Sequence, residues 1–251
     1  MKRFLDSFRL CFALVGLMAL MITPSRSQVS VQFGGGIGVT IPTSDYSGST
    51  LDYYNGSRYG LRSGVNVHGK AKFGVAGLNL AGEVDYSSLS NNGNSEQGQG
   101  TVNVSQKILS LKAGPEFRLG IPETPVTSYV GLNLSVNRFS GETTFQGVSS
   151  VPSGTFSLKP AVRFGAGISA GSELSIGPFM LLDFSLSYNL MNVSGPAWND
   201  VSPDKDQRLD SYLSLNDNRD PQFSSADDKH FVSHERNIRT IQFTVSVLFG
   251  L

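Results

Sequence analysis

The sequence is poor in three things: cysteine, net charge and long apolar runs. The only cysteine, Cys11, lies near the N-terminus, so the rest of the chain can form no disulfide and has no thiol nucleophile. Lysine and arginine together number 20, as do aspartate and glutamate, and this balance argues against a nucleic-acid partner. Beyond residue 27 no apolar run is long enough for a membrane-spanning helix, which excludes a helical membrane protein.

The first 27 residues have the order of a secretory signal peptide. Basic side chains precede an apolar stretch over residues 10–22, and small residues follow it. The sequence therefore predicts a cleaved signal over residues 1–27 and a mature domain over residues 28–251. An uncleaved N-terminal anchor is the alternative, although the stretch is shorter than the roughly 20 apolar residues that span a bilayer. Cys11 lies at the start of this stretch, which argues against lipid attachment.

The mature chain shows repeated alternation of apolar and polar side chains. Val29, Val31 and Phe33, for example, alternate with Ser30 and Gln32. A strand between lipid and a polar lumen has this period of two, and about 9–11 residues let a tilted strand cross the bilayer. The pattern predicts an all-β fold, an eight-stranded antiparallel up-and-down transmembrane β-barrel. The eight alternating segments are residues 29–41, 61–73, 78–86, 109–119, 130–137, 156–169, 182–190 and 240–251.

The connections between these segments alternate in length. Short links rich in turn-forming residues follow predicted strands two, four and six, over residues 74–76, 120–125 and 171–177. Longer polar segments follow strands one, three, five and seven, over residues 43–59, 87–101, 140–154 and 192–237. Short turns at one end and long loops at the other are typical of outer-membrane barrels.

Two further features concern individual strands. Pro115 and Pro160 lie inside predicted strands, where proline cannot donate to the ladder, so we expect a bulge or kink at each. Aromatic residues lie near the strand ends and suggest two girdles at the membrane boundaries, although aromatic residues favour strands in any case. They are Phe73, Phe117 and Phe249 on the side of the short turns and Tyr86, Phe156 and Tyr188 on the side of the long loops.

With these features the chain resembles the outer-membrane β-barrel domain family, in particular the small barrels of the OmpA-transmembrane and OmpX type. The resemblance covers residues 29–251 and is most specific in the final segment, TIQFTVSVLFGL. It implies a location in the cell outer membrane, contact with outer-membrane lipid and insertion by the barrel-insertion machinery through the last strand. The implied insertion signal consists of Phe243, Val245, Val247, Phe249 and Leu251. In the family the last residue of this signal is usually aromatic, whereas this chain has Leu251 there.

The positions that would face the barrel interior include ten charged side chains. Eight strands leave an interior only wide enough for side chains to fill, and charges enclosed there must pair. We therefore predict a network of ion pairs and hydrogen bonds that fills the lumen, in preference to a charged selective pore. Its predicted members are Lys70, Lys72, Glu83, Asp85, Lys112, Glu116, Arg118, Lys159, Arg163 and Asp183.

Three other motifs superficially resemble functional sites. The glycines of FGGGIGV, residues 33–39, recur with the strand period, and no helix pattern follows them as a nucleotide loop requires. The segment 216–227 resembles a calcium loop but lacks its glycine and terminal glutamate. Ser233 and the histidines His230 and His234 lie among aspartates in a loop, a combination that any acidic loop offers. We predict no catalytic residue, no cofactor and no metal.

The sequence favours a structural or surface-loop-presenting role in adhesion or interaction, without enzyme activity. Residues 193–236 are the expected contact for an extracellular partner. The alternatives are a narrow porin for small solutes, an outer-membrane enzyme, and a soluble lipocalin-like ligand-binding barrel. The last needs an apolar interior, which the predicted inner charges oppose.

Overall fold

Eight antiparallel strands form a closed barrel in which each strand pairs with its neighbours in sequence and the last pairs with the first. The computed structural model describes residues 30–75, 77–96, 99–120, 125–199, 209–226 and 232–250, so the predicted signal peptide lies outside the described residues. The predicted fold class is confirmed. The strands are β1 (Ser30–Thr43), β2 (Gly64–Val75), β3 (Leu78–Glu96), β4 (Gln99–Gly120), β5 (Val126–Gln146), β6 (Gly154–Ser175), β7 (Met180–Ser194) and β8 (Arg239–Gly250).

The two ends of the barrel differ. Short links after β2, β4 and β6 lie at one end, here called the turn end. The other end, the loop end, has a 3₁₀ turn (Ser44–Tyr46), helix α1 (Thr50–Tyr54) and helix α2 (Asp210–Leu213). Ser49 caps α1 by a reciprocal capping box with Asp52. The first and fourth loops therefore carry short ordered elements.

The barrel wall is apolar outside and polar inside. Leu134 is 73% exposed, and Ile37 and Val65 are each 68% exposed, whereas the polar residues Asn66 and Lys72 on β2 are almost completely buried. Side chains alternate across each strand, so the sequence alternation produces these two faces directly. Because a lipocalin-like barrel needs an apolar interior, this distribution excludes that alternative.

The strands are strongly tilted. A row of paired residues that starts at Ile37 reaches β4 at Leu109 through β2 and β3. Followed the other way, through β8, β7, β6 and β5, the same row reaches β4 at Leu119, ten residues further along the strand. Tilt and stagger of this kind close eight strands around an interior that side chains can fill.

Strands β3 to β6 continue far beyond the length needed to cross a bilayer. They have 19, 22, 21 and 22 residues, so the segments 87–101 and 140–154, predicted as loops, are largely strand. The prediction was wrong because the two faces exchange polarity at the loop end. There Leu89 and Val104 point inward and are buried, while Asn103 points outward and is exposed.

The two prolines behave differently. The pairing of β5 with β6 shifts between Phe139 and Gly141, where β6 has one extra residue beside Pro160, so the bulge expected there is confirmed. No shift occurs at Pro115. Its ladder with β5 is simply interrupted over Gly114 and Pro115 without an extra residue, and the expected bulge is wrong at this position.

The aromatic residues predicted as girdles lie partly on the outer face and partly inside the barrel. Phe73, Phe117 and Phe249 are exposed on the outer face at the turn end, and Tyr86 is exposed on the outer face of β3. Phe156 lies beyond the bulge in β6 and packs against Phe145, with ring centroids 6.2 Å apart. Phe156 therefore belongs to the interior of the loop end and not to a lipid-facing girdle.

Candidate functional site

Lys72 on β2 is the centre of the ion-pair network in the lumen. Its side chain is 1% exposed, and Nζ lies 2.8 Å from Glu116, 2.8 Å from Glu173 and 3.4 Å from Asp183. The same Nζ lies 4.0 Å from the centre of the Tyr129 ring, within the range of a cation–π contact. One ammonium group thus joins carboxylates from β4, β6 and β7 across the full width of the barrel.

A second part of the network lies one step toward the loop end. Lys70 is 3.0 Å from Asp183 and 3.6 Å from Glu83. Lys112 lies 2.9 Å from Glu83 and 3.7 Å from Asp85. Each of the carboxylates of Glu83 and Asp183 therefore has two cationic neighbours, which compensates its removal from water.

A glycine stripe on β1 lets the side chains of β2 reach across the lumen. Gly34 pairs with Lys70 and Gly36 with His68, and neither glycine has a side chain to block them. His68 crosses β1 so that Nε2 lies 2.7 Å from Ser246 Oγ on β8. A Cβ at Gly36 would lie 2.1 Å from the Val245 carbonyl oxygen, so the position accepts only glycine without a shift of the backbone.

Uncharged polar groups fill the lumen beyond the ion pairs. Gln242 donates from Nε2 to Thr40 Oγ1 at 3.1 Å and accepts from Lys112 at 2.7 Å and from Asn189 at 3.1 Å. Asn66 donates to Asp85, which also accepts from Ser87. The cavity left between these groups measures about 40 Å³, which has room for a few water molecules at most.

The arrangement around His68 has the order of a nucleophile, a base and an orienting group. Ser246 Oγ contacts Nε2, and Nδ1 lies 3.0 Å from Asn66 Oδ1. Ser246 is only 1% exposed, however, and a hydrolase needs a site that its substrate can reach. We interpret these contacts as hydrogen bonds that satisfy buried polar groups in the wall.

The fourth loop is anchored inside the barrel mouth by a buried ion pair. Arg163 donates from Nε and Nη2 to the two carboxylate oxygens of Asp217, at 2.9 and 2.7 Å, and Nη2 also donates to the Leu215 carbonyl. Asn192 donates to the same carboxylate at 3.0 Å, as does the backbone N–H of Ala197 at 2.9 Å. The segment around Asp217 is therefore packed into the mouth of the barrel.

An aromatic layer, here called the mouth cluster, lies above this anchor. Tyr46 donates to Gln106 at 3.0 Å, and Tyr53 shares a hydrogen bond of 2.8 Å with Thr143. Burial raises the pKa of Tyr53 to about 12 and raises the pKa values of Tyr46 and Tyr59 well above their ordinary range. The cluster consists of Tyr46, Tyr53, Tyr59, Phe139, Phe145 and Tyr212.

The structure places all of the predicted lumen residues except Lys159 on the inner wall. Lys159 points outward because the bulge at Pro160 inserts one residue and reverses the alternation beyond it. The predicted members Lys70, Lys72, Glu83, Asp85, Lys112, Glu116, Arg118 and Asp183 are joined by ion pairs in one network, while Arg163 pairs separately with Asp217.

Sequence reasoning missed two acidic partners. Glu173 was assigned to a turn, but β6 continues to Ser175 and directs Glu173 inward, where Lys72 and Arg118 bind it. The alternation of β6 was a usable signal for Glu173, since it shares the parity of Arg163. Asp217 gave no such signal, because it lies among many acidic residues of the fourth loop.

The remaining predicted sites are dispersed. Phe243, Val245, Val247 and Phe249 are exposed on the outer face of β8, and Leu251 lies outside the described residues. In the calcium-like segment Asn216 and Asp220 are buried but Asn218 is exposed, and Asp227 is not described. Ser233 Oγ lies 3.3 Å from Nδ1 of the exposed His234, and His230 is not described. Within the described ranges no group of three metal-binding side chains occurs.

Among the helices that the structure describes, none is long and apolar enough to cross a membrane.

Comparison with known proteins gives one family match and several similar folds. The sequence profile of the outer membrane protein beta-barrel domain matches residues 11–209. No curated protein matches the chain in sequence. Neisserial surface protein A (NspA) is 15% identical with a TM-score of 0.48, over 90% of this chain and 99% of that chain.

Two further solved structures are similar at the same level. The attachment invasion locus protein Ail of Yersinia pestis is 12% identical with a TM-score of 0.44, over 89% of this chain and 99% of that chain. The outer membrane protein OprG of Pseudomonas aeruginosa is 9% identical with a TM-score of 0.47, over 90% of this chain and 97% of that chain.

Proposed function

The chain belongs to the outer membrane protein beta-barrel domain family and lies in the outer membrane, and from this premise we propose that it is a closed barrel that presents an ordered surface at its loop end. The loop end faces the outside of the cell and the turn end faces the periplasm, as in other outer-membrane barrels. The protein acts through interaction at this surface, without catalysis and without conducting solutes.

The observation that carries this proposal is the anchored fourth loop above a filled lumen. Asp217 is fully buried and receives four hydrogen bonds from Arg163, Asn192 and Ala197. Below it, charged and amide side chains surround a cavity of about 40 Å³. A path for solutes would require both the loop anchor and the ion pairs below it to separate.

The ordered loop end supports the second half of the proposal. Tyr212 donates from its hydroxyl to the Tyr54 carbonyl at 2.8 Å and so connects the fourth loop to α1. Thr50 of α1 donates to the Asn94 carbonyl of β3 at 2.8 Å, which connects the first loop to the extended strands. The exposed residues 218–219 and 224–226 therefore belong to a loop whose buried residues pack against α1 and the extended strands. We propose the surrounding loop, residues 193–236, as the contact for an extracellular partner.

Conductance in a planar bilayer tests the closure. We expect the purified wild-type protein to show no large steady conductance. Asp217→Asn removes the charge that holds Arg163, and Lys72→Met separates the ion pairs below it. Breaking a buried ion pair costs about 3–5 kcal/mol, so the double variant Asp217→Asn/Lys72→Met should show openings that wild type lacks. Glu142→Gln, which removes an exposed carboxylate of β5, serves as the matched control and should remain closed. A large steady conductance of wild type would refute the closed barrel.

Adherence of intact cells tests the presentation of the surface. Cells that produce the barrel are compared with cells in which residues 218–226 are replaced by a glycine-serine linker of the same length. Adherence to other cells or to immobilised surface proteins should fall, while the heat-modifiable gel mobility of the barrel should stay unchanged. Equal adherence of both strains would count against an interaction role for this loop.

A further inference from the structure

The outer face of strands β3 to β6 changes its chemistry toward the loop end. Below the change, the row of paired residues through Tyr86 and Leu109 is largely apolar. Above it, three successive rows carry almost only hydroxyl and amide side chains on the outer face. These rows are Ser90, Ser105, Glu142 and Ser157; Asn92, Asn103, Thr144 and Thr155; and Asn94, Thr101 and Gln146.

Three cations lie at the boundary between the apolar belt and this polar face. Lys107 pairs across the sheet with Ser140, Arg138 pairs with Leu109, and Lys159 lies in the bulge of β6. All three side chains are exposed on the outer wall, and none belongs to an ion pair in the described part of the chain. Neighbouring strands are about 4.8 Å apart, so three adjacent strands bring these charges within roughly 10 Å of each other. We call Lys107, Arg138 and Lys159 the basic patch.

We propose that the basic patch and the polar face above it bind a phosphorylated glycolipid of the outer leaflet. Its acyl chains would lie against the apolar belt, its phosphates against the three cations, and its sugars against the hydroxyl and amide groups. Hydroxyl and amide side chains both donate and accept hydrogen bonds, which suits sugar hydroxyls. The order of chemistry along the barrel wall, apolar then cationic then uncharged polar, matches the order of groups in such a lipid.

The opposite end of the barrel shows that this order is not a general property of the wall. At the turn end, the outward-facing positions that the structure describes are mostly apolar, among them Val31, Val75, Leu78, Leu119 and Val126, with Ser128 and Ser172 as the uncharged polar exceptions. No comparable group of outward cations occurs there within the described strands. The asymmetry fits a ligand present in one leaflet only.

Lipid titration of the purified full chain tests the proposal, with bound lipid detected by native mass spectrometry. The probes are lipid A, the same lipid without its phosphates, and phosphatidylglycerol. Lipid A should bind more tightly than either of the others. A juxtamembrane cation contributes about fivefold in affinity, so the triple variant Lys107→Gln/Arg138→Gln/Lys159→Gln should bind lipid A roughly a hundredfold more weakly. The control Arg219→Gln, an exposed cation of the fourth loop, should bind as wild type does.

Several results would overturn the proposal. Equal binding of all three lipids would do so, as would unchanged binding by the triple variant with wild-type gel mobility. If a soluble sulfated polysaccharide binds preferentially and lipid A does not displace it, the ligand of this surface belongs to a different class.

The polar face has a test of its own. Lipopolysaccharide with core sugars should bind more tightly than lipid A, and Asn103→Ala/Thr144→Ala should remove that difference. If lipopolysaccharide gains nothing over lipid A, the assignment of the polar face to sugars is wrong.

The proposal rests on the orientation stated under Proposed function, with the loop end outside. Thiol labelling of intact cells at a cysteine introduced in the loop end reports this orientation without any lipid. Failure of lipid binding in a correctly oriented barrel therefore counts against the glycolipid alone.

Discussion

Replacing Lys72 by methionine tests whether the lumen network stabilises the barrel through its balance of charge. Lys72 contacts three carboxylates, but they do not depend on it equally. Glu173 keeps Arg118, and Asp183 keeps Lys70. Glu116 has no other ion-pair partner among the described residues, so the substitution leaves it buried and uncompensated.

The magnitude follows from this difference. An uncompensated charge left after breaking a buried pair costs about 3–5 kcal/mol, and we expect Lys72→Met to lower the free energy of unfolding by that amount. Lys70→Met is the matched control, because Glu83 keeps Lys112 and Asp183 keeps Lys72. It loses charged hydrogen bonds without leaving any carboxylate alone, and should cost about 1.5–3 kcal/mol.

The double variant Lys72→Met/Glu116→Gln separates charge from packing. Neutralising Glu116 removes the uncompensated charge, so the double variant should be more stable than Lys72→Met alone. The interaction free energy between two residues in contact is about 0.5–3 kcal/mol, and the recovery in the double variant should fall within this range. Unfolding in urea from lipid vesicles, followed by heat-modifiable gel mobility, measures all three variants. Equal costs for Lys70→Met and Lys72→Met, or no recovery in the double variant, would refute the reasoning.

Three further predictions concern other parts of the molecule. Gly36→Ala should destabilise the barrel by about 1–3 kcal/mol in urea unfolding, because its Cβ would lie 2.1 Å from a β8 carbonyl oxygen. Gly82→Ala, with open space around its Cβ, should be neutral, and equal effects at the two positions would contradict the argument. Burial raises the pKa of Tyr53 from 10.0 to about 12. The neutral phenol therefore makes its full contribution to the free energy of unfolding below pH 10, and this contribution is lost as the pH rises through 12. Tyr53→Phe should therefore leave the phenolate absorbance change near pH 10 unaltered, and a smaller change would show that Tyr53 ionises normally. In a Cys11→Ser background, Lys159→Cys should react with an aqueous thiol reagent in detergent-solubilised protein and Arg163→Cys should not. The reverse result would place the β6 bulge elsewhere.

The membrane-spanning part of the fold could be predicted because one physical rule acts on every residue of it. Lipid on one side and a polar lumen on the other impose alternation, and residues such as Lys70 and Lys112 follow it without exception. Lys159 could not be placed correctly, because a bulge reverses the alternation and a sequence does not show on which side of the proline the extra residue lies. The expectation at Pro115 failed for the related reason that a ladder can also lose two pairs without changing register.

The loop end was harder to predict because apolar side chains at every second position face inward there, and not outward as they do in the membrane. Leu89 and Phe145 face inward above the membrane, whereas Leu109 and Phe117 of the membrane segment face outward. The fourth loop was read from its composition, and composition does not show that Asp217 meets Arg163, which lies 54 residues earlier in the chain. Contacts between distant segments of this kind depend on the closed barrel and cannot be derived from any one segment.

The glycine stripe of β1 bears on how the barrel is assembled. Lys70 and His68 on β2 reach their partners on β7 and β8 only by passing over β1, whose inner face is bare at Gly34 and Gly36. While β1 and β8 are still apart, Lys70 can reach Glu83 on the neighbouring strand β3, but Asp183 on β7 and Ser246 on β8 stay out of reach of β2. Joining the first and last strands therefore neutralises buried charge in the same step that removes the two free strand edges. An open sheet gains only part of this charge pairing and keeps both free edges, so the contacts across the β1–β8 seam favour the closed barrel over partly assembled forms.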